Sequence, residues 1–105
     1  VDASARERTR EMMTRLWSRP PAPPADVRVA DPPAASRLGE IGVPTLVVVG
    51  GEDFPPVREI ADVLTREVPG ARRLDIPDAG HHPNMEHPAL FNEAVLAFLR
   101  DAVSV

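Results

Sequence analysis

The stretch VPTLVVVGGEDFPP, residues 43–56, carries the strongest structural signal in the chain. Residues 45–49 are all aliphatic or β-branched, and Gly50 and Gly51 end the run. A short apolar run that does not alternate with polar residues is typical of a strand buried on both faces, as in a parallel sheet. We therefore predict a β-strand over residues 45–49, stopped by the two glycines.

Outward from this strand, the chain continues as an alternating series of elements. The segment PPVREIADVLTREVPG, residues 55–70, predicts a helix, because Pro56 suits a first turn and aliphatic side chains including Ile60 share one face. The segment ARRLDIP, residues 71–77, predicts a shorter second strand, and residues 88–102 predict a last helix with apolar side chains at core spacing. The order predicts an α/β fold: two βα units of a parallel sheet, with neighbouring strands joined by a right-handed crossover and helices packed on them.

The N-terminal third of the chain has a different character. Residues 4–17 predict a short amphipathic helix with Ser4 as its N-cap. Its apolar side chains are expected to pack on a neighbouring element rather than line a pocket; they are Met12, Met13, Leu16 and Trp17. Six prolines between Pro20 and Pro33 disfavour helix and central strand, which predicts an extended linker. The predicted divisions are a helix in residues 1–19, a Pro-rich linker in residues 20–35 and the α/β segment in residues 36–105.

The composition describes a globular protein without a basic face for nucleic acid. The formal net charge is −4, and 43% of the residues are hydrophobic. The absence of cysteine excludes disulfides and thiolate zinc sites. No apolar run approaches the ~20 residues that a membrane helix requires, and the first residues lack the apolar core of a signal peptide. We therefore expect a cytoplasmic protein that binds neither nucleic acid nor membrane.

Acidic and histidine residues follow the two predicted strands. Glu52 and Asp53 come after the first strand, and His81 and His82 come after the second, behind Gly80, which permits a sharp turn. The carboxyl ends of parallel strands meet at one edge of a sheet, where ligands bind. Histidine, with an ordinary pKa of about 6.5, can accept a proton at neutral pH, and a carboxylate on its other nitrogen fixes the tautomer. The pattern therefore predicts Asp53 as an orienting acid and one of the two histidines as a general base.

Other interpretations of these residues stay open. An aspartate at a helix start is commonly a turn or capping residue, and a histidine in a loop commonly makes one backbone hydrogen bond. Glu86 is expected to accept backbone amides of the turn, and His87 to lie at a helix start. Four residues crowd together but match no recognised spacing of a zinc site, namely His81, His82, Glu86 and His87. No metal and no other cofactor is expected.

Three segments together resemble the C-terminal part of an α/β-hydrolase fold enzyme. They are VPTLVVVGGEDFPP, DIPDAGHHPNMEHP and LFNEAVLAFL, which fall in that family's order between about residues 40 and 101. The resemblance implies that Asp53, in a G-x-x-D turn that starts at Gly50, is the catalytic acid. It also implies that His81, directly after a glycine, is the catalytic base, with His82 as a neighbour in the pocket wall. The N-terminal helix then corresponds to the remnant of a lid.

The chain departs from the family's pattern at the nucleophile. The family carries it in a G-x-S-x-G elbow or an Asp variant of that elbow. The serines at positions 4, 18, 36 and 104 have no such context. The resemblance therefore implies a C-terminal segment that contributes acid and base to a complete enzyme, which hydrolyses an ester or related bond in a small-molecule substrate, and that is inactive alone.

Two alternatives belong to other functional classes. A non-catalytic module derived from a hydrolase would self-associate, or dock on a missing N-terminal half, through an open sheet edge. A small flavodoxin-like domain would hold phosphate at the glycine-rich end of the first strand. The two acids of the GGED sequence at residues 50–53 carry the wrong charge for an anion site, which disfavours the flavodoxin-like alternative.

Overall fold

The computed structural model describes residues 3–104 and confirms the α/β class. In chain order the elements are α1 (Ala3–Trp17), β1 (Leu46–Gly50), α2 (Pro55–Glu67), β2 (Arg72–Ile76), α3 (Pro83–Glu86) and α4 (Pro88–Val103). Two short 3-10 turns, Ala34–Ser36 and Leu38–Glu40, precede β1. The predicted strands and helices are all present with their bounds shifted by a few residues at most, while α3 is an additional element that the sequence analysis missed.

The two strands form a parallel pair, as predicted. Leu46 lies opposite Arg72, and Gly50 lies opposite Ile76. Within residues 3–104 the sheet has these two strands, joined by the crossover helix α2, which packs on β1. Because the strands run in the same direction, their carboxyl ends lie side by side at one edge.

The core lies between β1 and α2. Val47, Val49 and Ala61 form a buried cluster, against which Leu64 packs. Alternate residues of a strand point to opposite faces, and Val48 on the other face of β1 is only half-buried. The prediction of burial on both faces is therefore wrong for the described residues, because only the face under α2 is fully covered. Ile60, predicted for the apolar face of α2, is also 59% exposed.

Charged side chains connect β2 to the helices on either side of it. Arg73 donates a hydrogen bond to Asp62 of α2. Arg72 Nη1 donates to Asp101 Oδ2 of α4 at 2.9 Å, and its guanidinium lies 4.7 Å from the ring centre of Phe98. Exposed ion pairs of this kind contribute little to stability.

Most apolar side chains of helix α1 are exposed, although the sequence predicted that they pack on a neighbouring element. Ser4 lies inside the helix rather than before it and is therefore not an N-cap. Ala5 is the one buried residue of α1, and Arg8 Nη2 donates to the Met85 carbonyl of α3 at 2.7 Å. The expected packing of the other apolar side chains is wrong for the described residues, because Met12, Met13, Leu16 and Trp17 are 56%, 44%, 55% and 79% exposed. Residues 20–30 form neither helix nor strand. The predicted lid, linker and segment divisions stay predictions.

The end of β1 is in direct backbone contact with the chain that follows β2. A Cβ atom on Gly50 would lie 2.1 Å from the Gly80 carbonyl oxygen and 2.4 Å from that of Ala79. Glu52 N donates to the same Ala79 oxygen at 2.8 Å. The two loops can meet at this distance only because position 50 has no side chain.

This contact predicts that Gly50→Ala is strongly destabilising. The atoms that the new methyl group would strike belong to the backbone, so the loop after β2 must move, and we expect a loss of about 2–3 kcal/mol in the free energy of unfolding. Gly51→Ala is the matched control, because its Cβ would meet its nearest atoms at an ordinary 3.5 Å; its expected change is within about 0.5 kcal/mol. Urea unfolding of both variants measures the difference. Equal stability of the two would contradict the proposed role of the contact.

Candidate active site

The carboxylate of Asp53 lies just beyond the end of β1 and is buried. Asp53 N donates to the Gly50 carbonyl at 3.1 Å, which closes the turn. Asp53 Oδ1 accepts a hydrogen bond from Phe54 N at 2.8 Å, immediately before α2 begins at Pro55. The side chain is therefore held by the backbone on both sides, as a fixed group rather than a freely rotating one.

The structure brings His81 into contact with this carboxylate. His81 Nδ1 lies 3.1 Å from Asp53 Oδ1 and 3.1 Å from Oδ2. Carboxylate oxygens accept hydrogen bonds, so Nδ1 is the donor and Nε2 is left as the proton-accepting nitrogen of the neutral ring. The two side chains differ in exposure, which is 57% for His81 and 4% for Asp53. The pair therefore has a shielded acid and an accessible imidazole.

The turn that carries His81 depends on a residue that the sequence analysis overlooked. The left-handed backbone conformation lies at Asp78, with φ of 59°. Aspartate tolerates this conformation better than most residues. Ala79 is completely buried. Gly80 itself is not in the left-handed region, and its carbonyl oxygen is the atom that lies against Gly50; its predicted role in permitting the turn stays a prediction. An aspartate between a proline and an alanine was the available signal for the turn.

Two rings flank the imidazole of His81. The His82 ring lies edge-on to it, with centroids 5.3 Å apart, and the Phe54 ring lies at 6.4 Å. His82 is half-buried and Phe54 is 69% exposed. His87 stands at the start of α4, as expected, without a side-chain capping bond. His82 therefore lies beside the pair, and its chemical role stays a prediction.

A cavity of about 200 Å³ adjoins the pair. Asp53 and His81 belong to its lining, together with the valines of β1 and the apolar face of α2, including Ile60 and Leu64. Its walls are mostly aliphatic, so an apolar group placed there would lie close to the imidazole without competing for its hydrogen bonds.

The remaining predictions for this region concern metals and membranes. Within residues 3–104 no group of three or more His, Cys, Asp or Glu side chains is arranged to hold a metal ion. Over the same range no helix combines the length and apolar character needed to cross a bilayer. Glu86 accepts backbone amides, as expected, from Gly80 and His82. The cytoplasmic location stays a prediction.

Comparison with known proteins bears on the fold and the family. No family model matches the chain. A Mycobacterium tuberculosis protein named as a non-heme bromoperoxidase is 36% identical over 93 residues, which cover 82% of this chain and 34% of that protein. A 2-hydroxy-6-oxononadienedioate/2-hydroxy-6-oxononatrienedioate hydrolase of Cupriavidus pinatubonensis is 40% identical over 65 residues, covering 61% of this chain and 22% of that protein. An α/β hydrolase enzyme from the metagenome of sediments of the Mar Chica lagoon in Morocco aligns with a TM-score of 0.61 and 29% identity, covering 66% of this chain and 32% of that one.

The chain belongs to the α/β-hydrolase fold family. This confirms the resemblance drawn from the sequence and supports a hydrolase-type function at the level of the family. The chain spans about a third or less of the length of the curated relatives it matches, from 3% to 34%.

The geometry of the pair predicts how the tautomer of His81 responds to Asp53→Asn. An asparagine can turn its NH₂ group toward Nδ1, which moves the ring proton to Nε2 and removes the accepting nitrogen from the exposed side. We expect ¹⁵N NMR of the imidazole to show a proton on Nδ1 in the natural chain and on Nε2 in the variant. Asp78→Asn is the control, because asparagine also tolerates the left-handed backbone. An unchanged tautomer in Asp53→Asn would contradict the assignment.

Proposed function

We propose that this chain supplies the general base, His81, and its orienting acid, Asp53, to an α/β-hydrolase-type enzyme that cleaves an ester or related bond in a small-molecule substrate. The observation that carries the proposal is the contact of His81 Nδ1 with both carboxylate oxygens of Asp53 at 3.1 Å. Family membership alone leaves open which residues react, and this contact supports His81 and Asp53 as the reacting pair.

The proposed mechanism follows from the exposures of the two side chains. His81 accepts a proton at Nε2 from the attacking nucleophile, and it later returns that proton to the leaving group. Asp53 stays ionised and stabilises the imidazolium that forms in between. A base must reach the reacting atoms, whereas an orienting acid works best when shielded from water, and the 57% and 4% exposures of the two side chains match this division.

The nucleophile is proposed to come from outside these 105 residues, because the chain has no G-x-S-x-G elbow. Two observations support an additional partner segment. The curated relatives are about three times as long as the matched region or longer. The aliphatic cavity beside the pair also adjoins β1, whose second edge has no strand partner within residues 3–104. A missing N-terminal half that completes the sheet would bring the nucleophile to this edge.

The decisive test is His81→Ala in a polypeptide that joins this chain to the sequence encoded directly upstream of it. Loss of the general base should lower kcat/KM on a panel of simple esters by about 10³-fold or more. His87→Ala is the control and should retain activity. The 105-residue chain alone should give no turnover above the uncatalysed rate. Turnover by that chain, or full activity of His81→Ala, would refute the proposal.

A second candidate function is a non-catalytic module that self-associates. Exposed apolar side chains favour it, since Trp17 and Leu16 of α1 are 79% and 55% exposed. Both strands also leave one edge unpaired among the described residues. Such edges and apolar surfaces attract other chains.

Sedimentation of the pure chain tests this second candidate. Self-association predicts a dimer or larger species whose fraction rises with concentration and falls in Trp17→Ser, because that substitution removes apolar area from the contact surface. Val29→Ser is the control, since Val29 is 87% exposed in the Pro-rich segment and lies outside α1. A folded monomer at every concentration would eliminate the self-association hypothesis.

A further inference from the structure

Glu86 is a buried carboxylate that holds the turn around His81. It lies at the end of α3 with 8% of its surface exposed. Its Oε2 atom accepts hydrogen bonds from Gly80 N at 2.7 Å and from His82 N at 3.3 Å. These amides belong to the residues immediately before and after His81. One oxygen atom therefore fixes the backbone on both sides of the imidazole.

The other carboxylate oxygen of Glu86, Oε1, indicates that the side chain does more than stabilise the fold. Oε1 is buried and has no hydrogen-bond partner among residues 3–104. A buried polar oxygen without a partner is unfavourable, and more so when the group is charged. The unpartnered Oε1 therefore offsets part of the stabilisation that the two hydrogen bonds to Oε2 provide, which favours a role beyond stability.

Capping of α3 explains only part of the geometry. Glu86 N donates to the His82 carbonyl at 3.0 Å in a backbone hydrogen bond of the helical turn, and the Glu86 side chain accepts from His82 N, the amide directly before α3. Gly80, however, lies outside α3, and its amide makes the shorter of the two bonds. Capping of α3 would not require the hydrogen bond from Gly80 N. Holding the turn on both sides of His81, which we call the clamp, does require it.

We propose that Glu86 is a positioning residue for His81. By holding both neighbouring amides, Glu86 fixes the direction in which the imidazole leaves the backbone, and so keeps Nδ1 on Asp53 and Nε2 toward the reactants. It acts through the backbone of the turn and does not touch the substrate. The inference rests on the proposed function of His81 as the base. Preorganisation of this kind matters because small displacements of a reacting group cost large factors in rate.

Three substitutions at position 86 separate the clamp from general destabilisation. Glu86→Ala removes the acceptor. Glu86→Asp draws the carboxylate back by about 1.5 Å, the length of one carbon–carbon bond, which breaks both hydrogen bonds. Glu86→Gln keeps a carbonyl oxygen that can accept from the same amides and places its NH₂ group where Oε1 lies. Glu93→Ala is the control, because it removes an exposed carboxylate from α4.

The readouts are taken on the ¹⁵N-labelled 105-residue chain and need no substrate. In Ala and Asp variants that remain folded, we expect hydrogen exchange at the amides of residues 80 and 82 to accelerate by about tenfold or more, the effect of losing one charge-assisted hydrogen bond. In the natural chain we expect the His81 Nδ1 proton to exchange slowly because Asp53 holds it, and in the Ala and Asp variants we expect this slow exchange to be lost. Glu86→Gln and Glu93→Ala should retain both signals. Urea unfolding of each variant identifies any that do not fold.

The outcomes decide the proposal in either direction. Loss of both signals in Glu86→Asp with retention in Glu86→Gln supports it, and this pair decides the question even if Glu86→Ala fails to fold. An unchanged imidazole proton in Glu86→Ala or Glu86→Asp overturns it, as does equal loss in Glu86→Gln. The proposed function fails by a different result, full turnover of His81→Ala in the joined polypeptide, so the two failures can be told apart.

Discussion

The contact between the backbone at Gly50 and the carbonyl groups of Ala79 and Gly80 is the constraint on which the site depends. It draws together the two loops that leave the carboxyl ends of β1 and β2. Hydrogen bonds from Gly51 N to the Ile76 carbonyl and from Glu52 N to the Ala79 carbonyl, at 2.9 and 2.8 Å, hold the same junction. Asp53 and His81 are 28 positions apart in the chain, and they meet because the backbones that carry them already touch.

The elements that carry the pair give its two members different surroundings. Asp53 lies in a closed turn directly before α2, which shields it from solvent and ties it to the amide of Phe54. His81 projects from a turn between β2 and α3, where its ring is open on one side. A hydrogen bond to a shielded carboxylate is stronger than one exposed to water. The fold thus provides a fixed, shielded carboxylate and an accessible imidazole, the arrangement that the proposed roles of acid and base require.

The sequence was sufficient for the strands, their direction and the pairing of Asp53 with the histidine turn, because these follow from apolar runs, proline and glycine positions and the handedness of crossover connections. It was insufficient for α3, which at four residues is too short for helical periodicity to appear. The left-handed conformation at Asp78 left only a weak signal, since aspartate also occurs in ordinary turns. The exposure of Trp17 was missed because an amphipathic pattern identifies an apolar face and not what covers it.

The hydrogen bonds that define the pair all begin and end within residues 50–86. The geometry of Asp53 and His81 therefore does not depend on a nucleophile or on further strands. The cavity beside them is different, because it is lined by residues of β1, a strand with one edge unpaired among the described residues. The contact between the two side chains is thus set locally, whereas the shape of the cavity, under the proposed function, depends on the segment that completes the sheet. In such an arrangement the chemistry of proton transfer can stay constant while the bound molecule varies.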